Sequence, residues 1–292
     1  MNFYLKYFWA KFKNRIIILI IALFILDIVI YYHIFYINYF NHLNIFFLNV
    51  GQGDSELIIL PGYKKILIDG GPDNTVLMEL EKILPPLDRY IDVVILTHPQ
   101  LDHFGGLIEV VNRYKIGAFI YNGQNRDMIA YKYLINLLEK NKIQKINIMA
   151  GDKIIYQNNL FNVLSPSKDF LFNSDLNYGA IVLLLNSDNI QTLFTSDINS
   201  DIESKIKNLI GSIDILKVAH HGSKYSSSLE FLQTTHPKIS VIEVGKNSYG
   251  HPSNKVIDNL QELGSKVFRT DFDGTIKITA NNLNKLIINK IK

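Results

Sequence analysis

Two imidazoles and a carboxylate fall within six residues in the run Thr97-His98-Pro99-Gln100-Leu101-Asp102-His103-Phe104-Gly105-Gly106. The run follows Asp92-Val93-Val94-Ile95-Leu96, which reads as a strand, and a helix is predicted to begin near Asp102. His98, Asp102 and His103 are good ligands for zinc, manganese or iron. A tight loop can aim His98 one way and Asp102 and His103 another, so that two adjacent ions share it. Gly105-Gly106 lets the following backbone approach such a site closely. Any one of these histidines alone would read as a solvated loop residue; the cluster is what points to metal chemistry.

Three later segments supply what one loop cannot. Asp197 follows the apolar strand Ile190–Thr195, where it could bridge two metals or, more plainly, cap a helix. Ile213–Ala219 reads as a buried strand that delivers His220-His221-Gly222-Ser223 to the same kind of edge. Tyr249-Gly250-His251-Pro252 follows the strand Ile239–Val244 and adds a further imidazole on a loop. Ligands carried past the carboxyl ends of successive strands are the usual arrangement of function in α/β sheets.

The order His98-x-x-x-Asp102-His103, then Asp197, then His220-His221, on alternating strands and helices, resembles the metallo-β-lactamase fold of hydrolases. Further runs narrow the resemblance: Phe47-Leu48-Asn49-Val50-Gly51-Gln52-Gly53-Asp54-Ser55, Leu67-Ile68-Asp69-Gly70-Gly71, Lys217 through Lys224, and Gly245 through Pro252. Together they look like the metallohydrolase domain of ComEC-type DNA-uptake channels and its stand-alone relatives, over about residues 44–280. The resemblance implies an α/β sandwich of four layers. It also implies a divalent cofactor, zinc or manganese, as one or two ions, with His98, Gln100, Asp102, His103, Asp197, His220 and His221 as candidate ligands. Asp102, His251 and Lys224 become candidates for catalysis, and Asn177, Ser223 and Asp54 for contacts with substrate. Two positions depart from the family pattern. Gln100 stands where His or Asp is usual, and Asn177 where many relatives carry another His although ComEC-like members commonly carry Asn as well, so the resemblance implies one well-held ion beside a weak first site. Which of His220 and His221 ligates is left open, the other being expected to touch substrate. The implied reaction is metal-assisted hydrolysis of a phosphodiester, with DNA as the specific substrate. A non-catalytic module that binds DNA or a partner is the first rival reading, and a hydrolase of a small phosphoester or envelope component the second.

The elements that must position these residues are predicted as strands over Asn44–Val50, Glu56–Leu60 and Lys65–Asp69, then helices over Thr75–Leu84, Phe104–Tyr114 and Tyr131–Lys140. Hairpins are expected in Ile154–Leu164 and over Ile181–Asn186 with Ile190–Thr195, and helices near Ile202–Leu209, Leu229–Thr234 and Asn254–Leu263. Gly51-Gln52-Gly53 precedes a strand rather than a helix, so it reads as a turn at the pocket floor and not a phosphate loop. About 250 residues beyond position 43, with 48% hydrophobic residues overall, suit one large α/β domain. The absence of cysteine excludes disulfides and thiolate metal sites, and a net charge of +3 gives no nucleic-acid footprint by itself.

Ile16 to Ile37 is an apolar run of 22 residues, interrupted chiefly by Asp27 and His33, long enough to cross a bilayer of about 30 Å. It exceeds the usual apolar core of a signal peptide, and no small-residue cleavage site follows it. Lys6, Lys11, Lys13 and Arg15 precede it, and no Lys or Arg follows until Lys64. The positive-inside rule therefore predicts a cytoplasmic stub over residues 1–15, a membrane span over 16–37 and a hydrolase domain over 44–292 outside the cytoplasm. Without further long apolar runs the chain is not a complete channel, and the resemblance implies a separate DNA-channel protein as partner.

Overall fold

The computed structural model describes residues 3–39, 42–280 and 285–292. They divide into two units, one built on the N-terminal helix and the other holding residues 42–60 and 64 onward. Helix α1 (Phe3–Tyr39) runs 37 residues, longer than the predicted span, because the basic residues before Ile16 are good helix formers and neither Gly nor Pro interrupts them. Its apolar segment Lys11–Tyr36 is long and apolar enough to cross a membrane. Ile18, Leu19, Phe24 and Leu26 are all exposed, so the apolar surface surrounds the helix rather than forming a stripe.

In the second unit β1 (Asn44–Phe47), β2 (Glu56–Leu60) and β3 (Lys64–Ile68) form an antiparallel meander. Then α2 (Thr75–Ile83), β4 (Tyr90–Leu96), α3 (Leu101–Arg113), β5 (Lys115–Tyr121), α4 (Ile129–Lys140) and β6 (Gln144–Asn147) alternate, with β3 to β6 parallel. A second meander follows in β7 (Lys153–Tyr156), β8 (Asn159–Ser165), β9 (Val182–Ser187) and β10 (Ile190–Phe194). It continues in parallel through α5 (Ser200–Ile206), β11 (Ile215–Lys217), α6 (Leu229–Thr235), β12 (Ile239–Ile242), α7 (Asn254–Glu262) and β13 (Lys266–Arg269). After α8 (Thr270–Asp273), β14 (Thr275–Ala280) and β15 (Leu286–Ile291) return to the first sheet. The sheet orders are β15-β14-β1-β2-β3-β4-β5-β6 and β13-β12-β11-β10-β9-β8-β7. Strands β5 and β6 lie where the sequence analysis assigns no element. Gly117 dilutes the pattern of β5, and β6 is a half-polar edge strand.

Side-chain alternation builds the layers. Leu183 and Leu185 of β9 join Ile45, Phe47, Ile68, Phe161 and Phe194 in the core between the sheets, where the Phe47 and Phe194 rings stack 6.3 Å apart. Val182 and Leu184 point the other way and pack with Ile202, Phe231, Val256 and Leu260 under α5, α6 and α7. Burial of these side chains at about 25 cal/mol per Å² is the main source of stability. The result is an αββα sandwich whose strand ends carry the candidate residues.

The loop after β3 and the start of α3 meet backbone to backbone. A Cβ on Gly106 would lie 2.1 Å from the Gly70 carbonyl oxygen, and one on Gly105 2.0 Å from that of Pro72. Neither neighbour is a flexible side chain that could swing aside. Gly106→Ala is therefore expected to destabilise the protein by about 1–3 kcal/mol, read as a lower midpoint in thermal denaturation; an unchanged midpoint would contradict this close packing.

Candidate metal centre

The candidate ligands converge at one edge of the sandwich, where the carboxyl ends of β4, β10 and β11 meet. His103 lies in the first turn of α3, its ring fully buried. Its Nδ1 donates to Asp69 Oδ2 at 2.7 Å, and that carboxylate also accepts from the Thr97 hydroxyl at 2.6 Å and the Thr97 N–H at 2.8 Å. His221 Nδ1 donates to the Glu243 carbonyl at 2.8 Å. Because each Nδ1 is spent on an acceptor, each Nε2 is left to face the site, the arrangement in which an outer partner sets the tautomer of a metal-binding imidazole.

There His103 Nε2 lies 3.4 Å from Asp197 Oδ2, and His221 Nε2 lies 3.6 Å from both Asp197 Oδ2 and Asp102 Oδ2. The donor atoms of Asp102, His103, Asp197 and His221 all fall within 4.8 Å of one another. Tetrahedral ligands bound at about 2.1 Å sit roughly 3.4 Å apart, so the spacing fits a cation. The Nε2 atoms of His103 and His221 and Oδ1 of Asp197 are buried without a hydrogen-bond partner. Buried polar atoms are rarely left so, and a shared cation satisfies both imidazole nitrogens, while Asp197 Oδ1 lies 3.8 Å from the Lys217 ammonium. The donor set, imidazole nitrogen and carboxylate oxygen, fits zinc or manganese.

Backbone geometry aims these groups. Asp69, Ser196, His220 and His221 all have positive φ, between 48° and 54°, at or just past the ends of β3, β10 and β11. Non-glycine residues avoid this region, and such strain gathers at functional sites. Ser196 also ties the two sheets together, its hydroxyl donating to Thr97 Oγ1 at 2.8 Å.

The other candidates are distributed around this cluster. His98 is buried, its ring 4.2 Å from that of His103 and its Nε2 without a partner, so it faces the same region. Gln100 and Asn177 satisfy each other, the Gln100 amide donating to Asn177 Oδ1 at 2.6 Å. His220 and His251 form one wall of a hollow of about 500 Å³ above the cluster, rings 5.4 Å apart, and Gln52 lines it too, as expected of the turn that holds it. His220 Nε2 is 3.7 Å from Asp197 Oδ2, but its side chain is more exposed than that of His221. The structure does not bring three candidates to the hollow. Lys224 is exposed, its ammonium over the Tyr225 ring; Ser223 is buried and accepts from the Tyr225 N–H; Asp54 is buried beneath the cluster. Asp54 is paired there with Lys217, a buried ammonium that also donates to the Ser196 carbonyl at 3.1 Å. Lys217 and Asp69 both lie inside the motifs that carry the resemblance, but neither type nor spacing gives them a role there. Asp69, a buried acid directly before Gly70-Gly71, carries no local signal that a histidine 34 positions later depends on it.

Electrostatics follow from so many buried charges. Burial alone would lower His103 and His221, but Asp197 and Asp69 hold His103 well above its ordinary range, and Asp197 and Asp54 push His221 up to about 10. Burial would raise Asp197, yet the two imidazolium charges hold it well below the ordinary carboxylate range. His98 is pushed down to about 3 by burial and by His103. A cation bound by these imidazoles competes with protons and so binds more weakly as pH falls.

Comparison with known proteins agrees with this architecture. Residues 48–140 match the Metallo-beta-lactamase superfamily. The metallo-beta-lactamase fold protein YhfI from Bacillus subtilis superposes with a TM-score of 0.53 over 80% of this chain and 99% of that one, at 13% identity. The chain carries the metallo-β-lactamase fold. In sequence this metallo-β-lactamase-fold chain is 29% identical over 259 residues to ComE operon protein 3 of Bacillus subtilis (strain 168), covering 80% of this chain and 33% of that protein. It is 28% identical over 237 residues to Competence protein ComA of Neisseria gonorrhoeae, covering 78% and 31%. It thus spans about a third of the length of these ComEC-type relatives.

Two outcomes are expected from the positioning groups. Asp69→Ala should weaken metal binding by about 10–100-fold, read by titration of the chelator-stripped protein, and unchanged affinity would show that His103 needs no outer partner. Glu56 is buried beside Glu243, and burial, then the Asp54 charge, push it up to about 8. A carboxyl raised on folding favours the folded state below its ordinary range and loses that contribution as pH rises toward 8. The thermal midpoint of Glu56→Gln should therefore fall less than that of the native protein between pH 6 and pH 9.

Proposed function

We propose that this protein is a membrane-anchored, metal-dependent phosphodiesterase acting on DNA. The observation that carries the reading is the convergence of the unpartnered Nε2 atoms of His103 and His221 with Asp197 and Asp102 at the base of an open hollow. The hydrolase superfamily of the fold and the competence protein among its relatives support it. Helix α1 serves as the anchor, with the N-terminus cytoplasmic and the domain beyond residue 44 on the outer face, beside a separate DNA-channel protein.

Asp102, His103, Asp197 and His221 hold the ion, and His98 with Gln100 forms the weaker first position. When bound, a zinc or manganese ion supplies Lewis acidity to a phosphoryl oxygen and lowers the pKa of water toward about 7. The chain's own part is positioning and proton handling. Asp69 and the Glu243 carbonyl keep both Nε2 atoms turned inward. His220 reaches the hollow and is suited to contact the phosphate. His251 is held below its ordinary range by burial and by His220, and it lines the hollow with its Nδ1 free of a hydrogen-bond partner, placed to handle a proton there.

Metal content and hydrolysis of a chromogenic diester test the reading on the same preparation. Asp102→Ala should lose the ion and lower turnover more than about a hundredfold; retained activity would remove this cluster from the mechanism. A native protein that binds the ion and DNA but turns over no diester would favour the binding-module reading, to which the mutual Gln100–Asn177 bond lends support. Gln100→His breaks that bond and adds an imidazole to the first position. Metal per chain should then rise toward two, as counted by inductively coupled plasma mass spectrometry.

A further inference from the structure

The hollow above the metal cluster does not end there. It shares Gln100, Leu101 and Asp102 with a second hollow of about 430 Å³, and that one shares Leu176 with a third of about 470 Å³. Tyr249 lines the first hollow. It is 75% exposed, and its ring lies 5.8 Å from that of His251 at a shallow 34°. A large aromatic ring left open to water beside a candidate hydrolytic centre has a face free for a planar partner. Its loop is fixed by Asn247, whose Oδ1 accepts the N–H groups of Tyr249 and His251 and whose amide donates to the Gly245 and His251 carbonyls.

Arg126 lines the second hollow, which shares Asp102 with the hollow that Tyr249 lines. Its Nη1 donates to the Pro99 carbonyl at 2.9 Å, which holds the guanidinium beside the loop carrying His98. No carboxylate lies within ion-pair distance of it among the described residues, so its other donors remain for a ligand. Besides Asp102, the one acid lining that hollow is Asp175, and its Oδ1 already accepts the Asn177 N–H at 3.0 Å. The third hollow is rich in amides, among them Asn125, Asn147 and Asn173, groups suited to base edges.

From this we infer that the three hollows form one groove for a single DNA strand, with a base stacked on Tyr249, the scissile phosphate over Asp102 and a neighbouring phosphate held by Arg126. A duplex fits poorly, because its bases already stack on one another and offer no face to the ring, whereas an exposed aromatic and a cation along one groove are the usual platform for single strands. Arg126 and Tyr249 are then specificity residues, acting on how tightly a strand is held rather than on the bond that breaks. The inference rests on the phosphodiesterase reading.

The test uses the full chain in detergent micelles, supplied with manganese, and compares bis(p-nitrophenyl) phosphate with oligothymidylates of two to eight nucleotides. The native protein should show kcat/KM rising with strand length. Arg126→Ala and Tyr249→Ala should each raise KM for the longer strands by about tenfold with little change in kcat, while Tyr249→Phe, which keeps the stacking face, should behave as the native protein does. Equal losses on the small diester and the long strands, or no dependence on length, would overturn the inference and leave the phosphodiesterase reading standing. If no diester of any length is cleaved, that reading fails, and the groove is judged by fluorescence anisotropy of a fluorescein-labelled oligothymidylate. Weaker binding in Arg126→Ala and Tyr249→Ala would sustain the groove. Unaltered binding, or a preference for duplex over single strand, would overturn it.

Discussion

Four ionisable side chains brought within 4.8 Å of one another and out of water would repel or desolvate themselves apart unless every charge had an answer. Asp102, His103, Asp197 and His221 have two layers of answers. Asp69 and the Glu243 carbonyl take the outer nitrogens of the imidazoles, and Lys217 sits beneath, against Asp54, with its ammonium 3.8 Å from Asp197 Oδ1. Each of these supports comes from a different strand end, so the cluster exists only when both sheets are in register. The sandwich is the device that makes this concentration of charge tolerable, and the Ser196–Thr97 hydrogen bond joins the sheets beside it.

What could be read from residues alone divides along physical lines. Ligand loops were legible because His, Asp and Gly are concentrated after β-branched runs, and β2, α2 and α6 fall within a residue of their predicted bounds for the same reason of pattern. Positions that work through distant partners were not. Asp69 meets His103 across 34 residues and Lys217 meets Asp54 across 163, separations that leave no periodicity to detect. The choice between His220 and His221 was equally invisible, since adjacent residues of one type differ only in where a left-handed turn throws them. Lys224 shows the converse. The resemblance makes it a candidate for catalysis as the last residue of the motif from Lys217, but the chain leaves it exposed with its ammonium over the Tyr225 ring.

The N-terminal helix and the rest of the chain distribute their apolar residues differently. From residue 44 on, apolar side chains alternate in and out of a core; in α1 they surround the helix, which a lipid environment permits and water penalises. The same composition, rich in Ile and Leu, therefore encodes two outcomes, and what separates them is spacing rather than content.

The left-handed backbone at Asp69, Ser196, His220 and His221 carries a consequence for how the sequence is free to drift. Elsewhere in strands and helices, glycine is the costly replacement and alanine the mild one. At these four positions the ranking inverts, because a Cβ is itself the source of the strain and glycine removes it. Ser196 is the clearest instance, since its backbone would welcome glycine while its hydroxyl bridges the sheets. Stability and site geometry pull its identity in opposite directions, and serine is the compromise that keeps the hydroxyl at the expense of the fold.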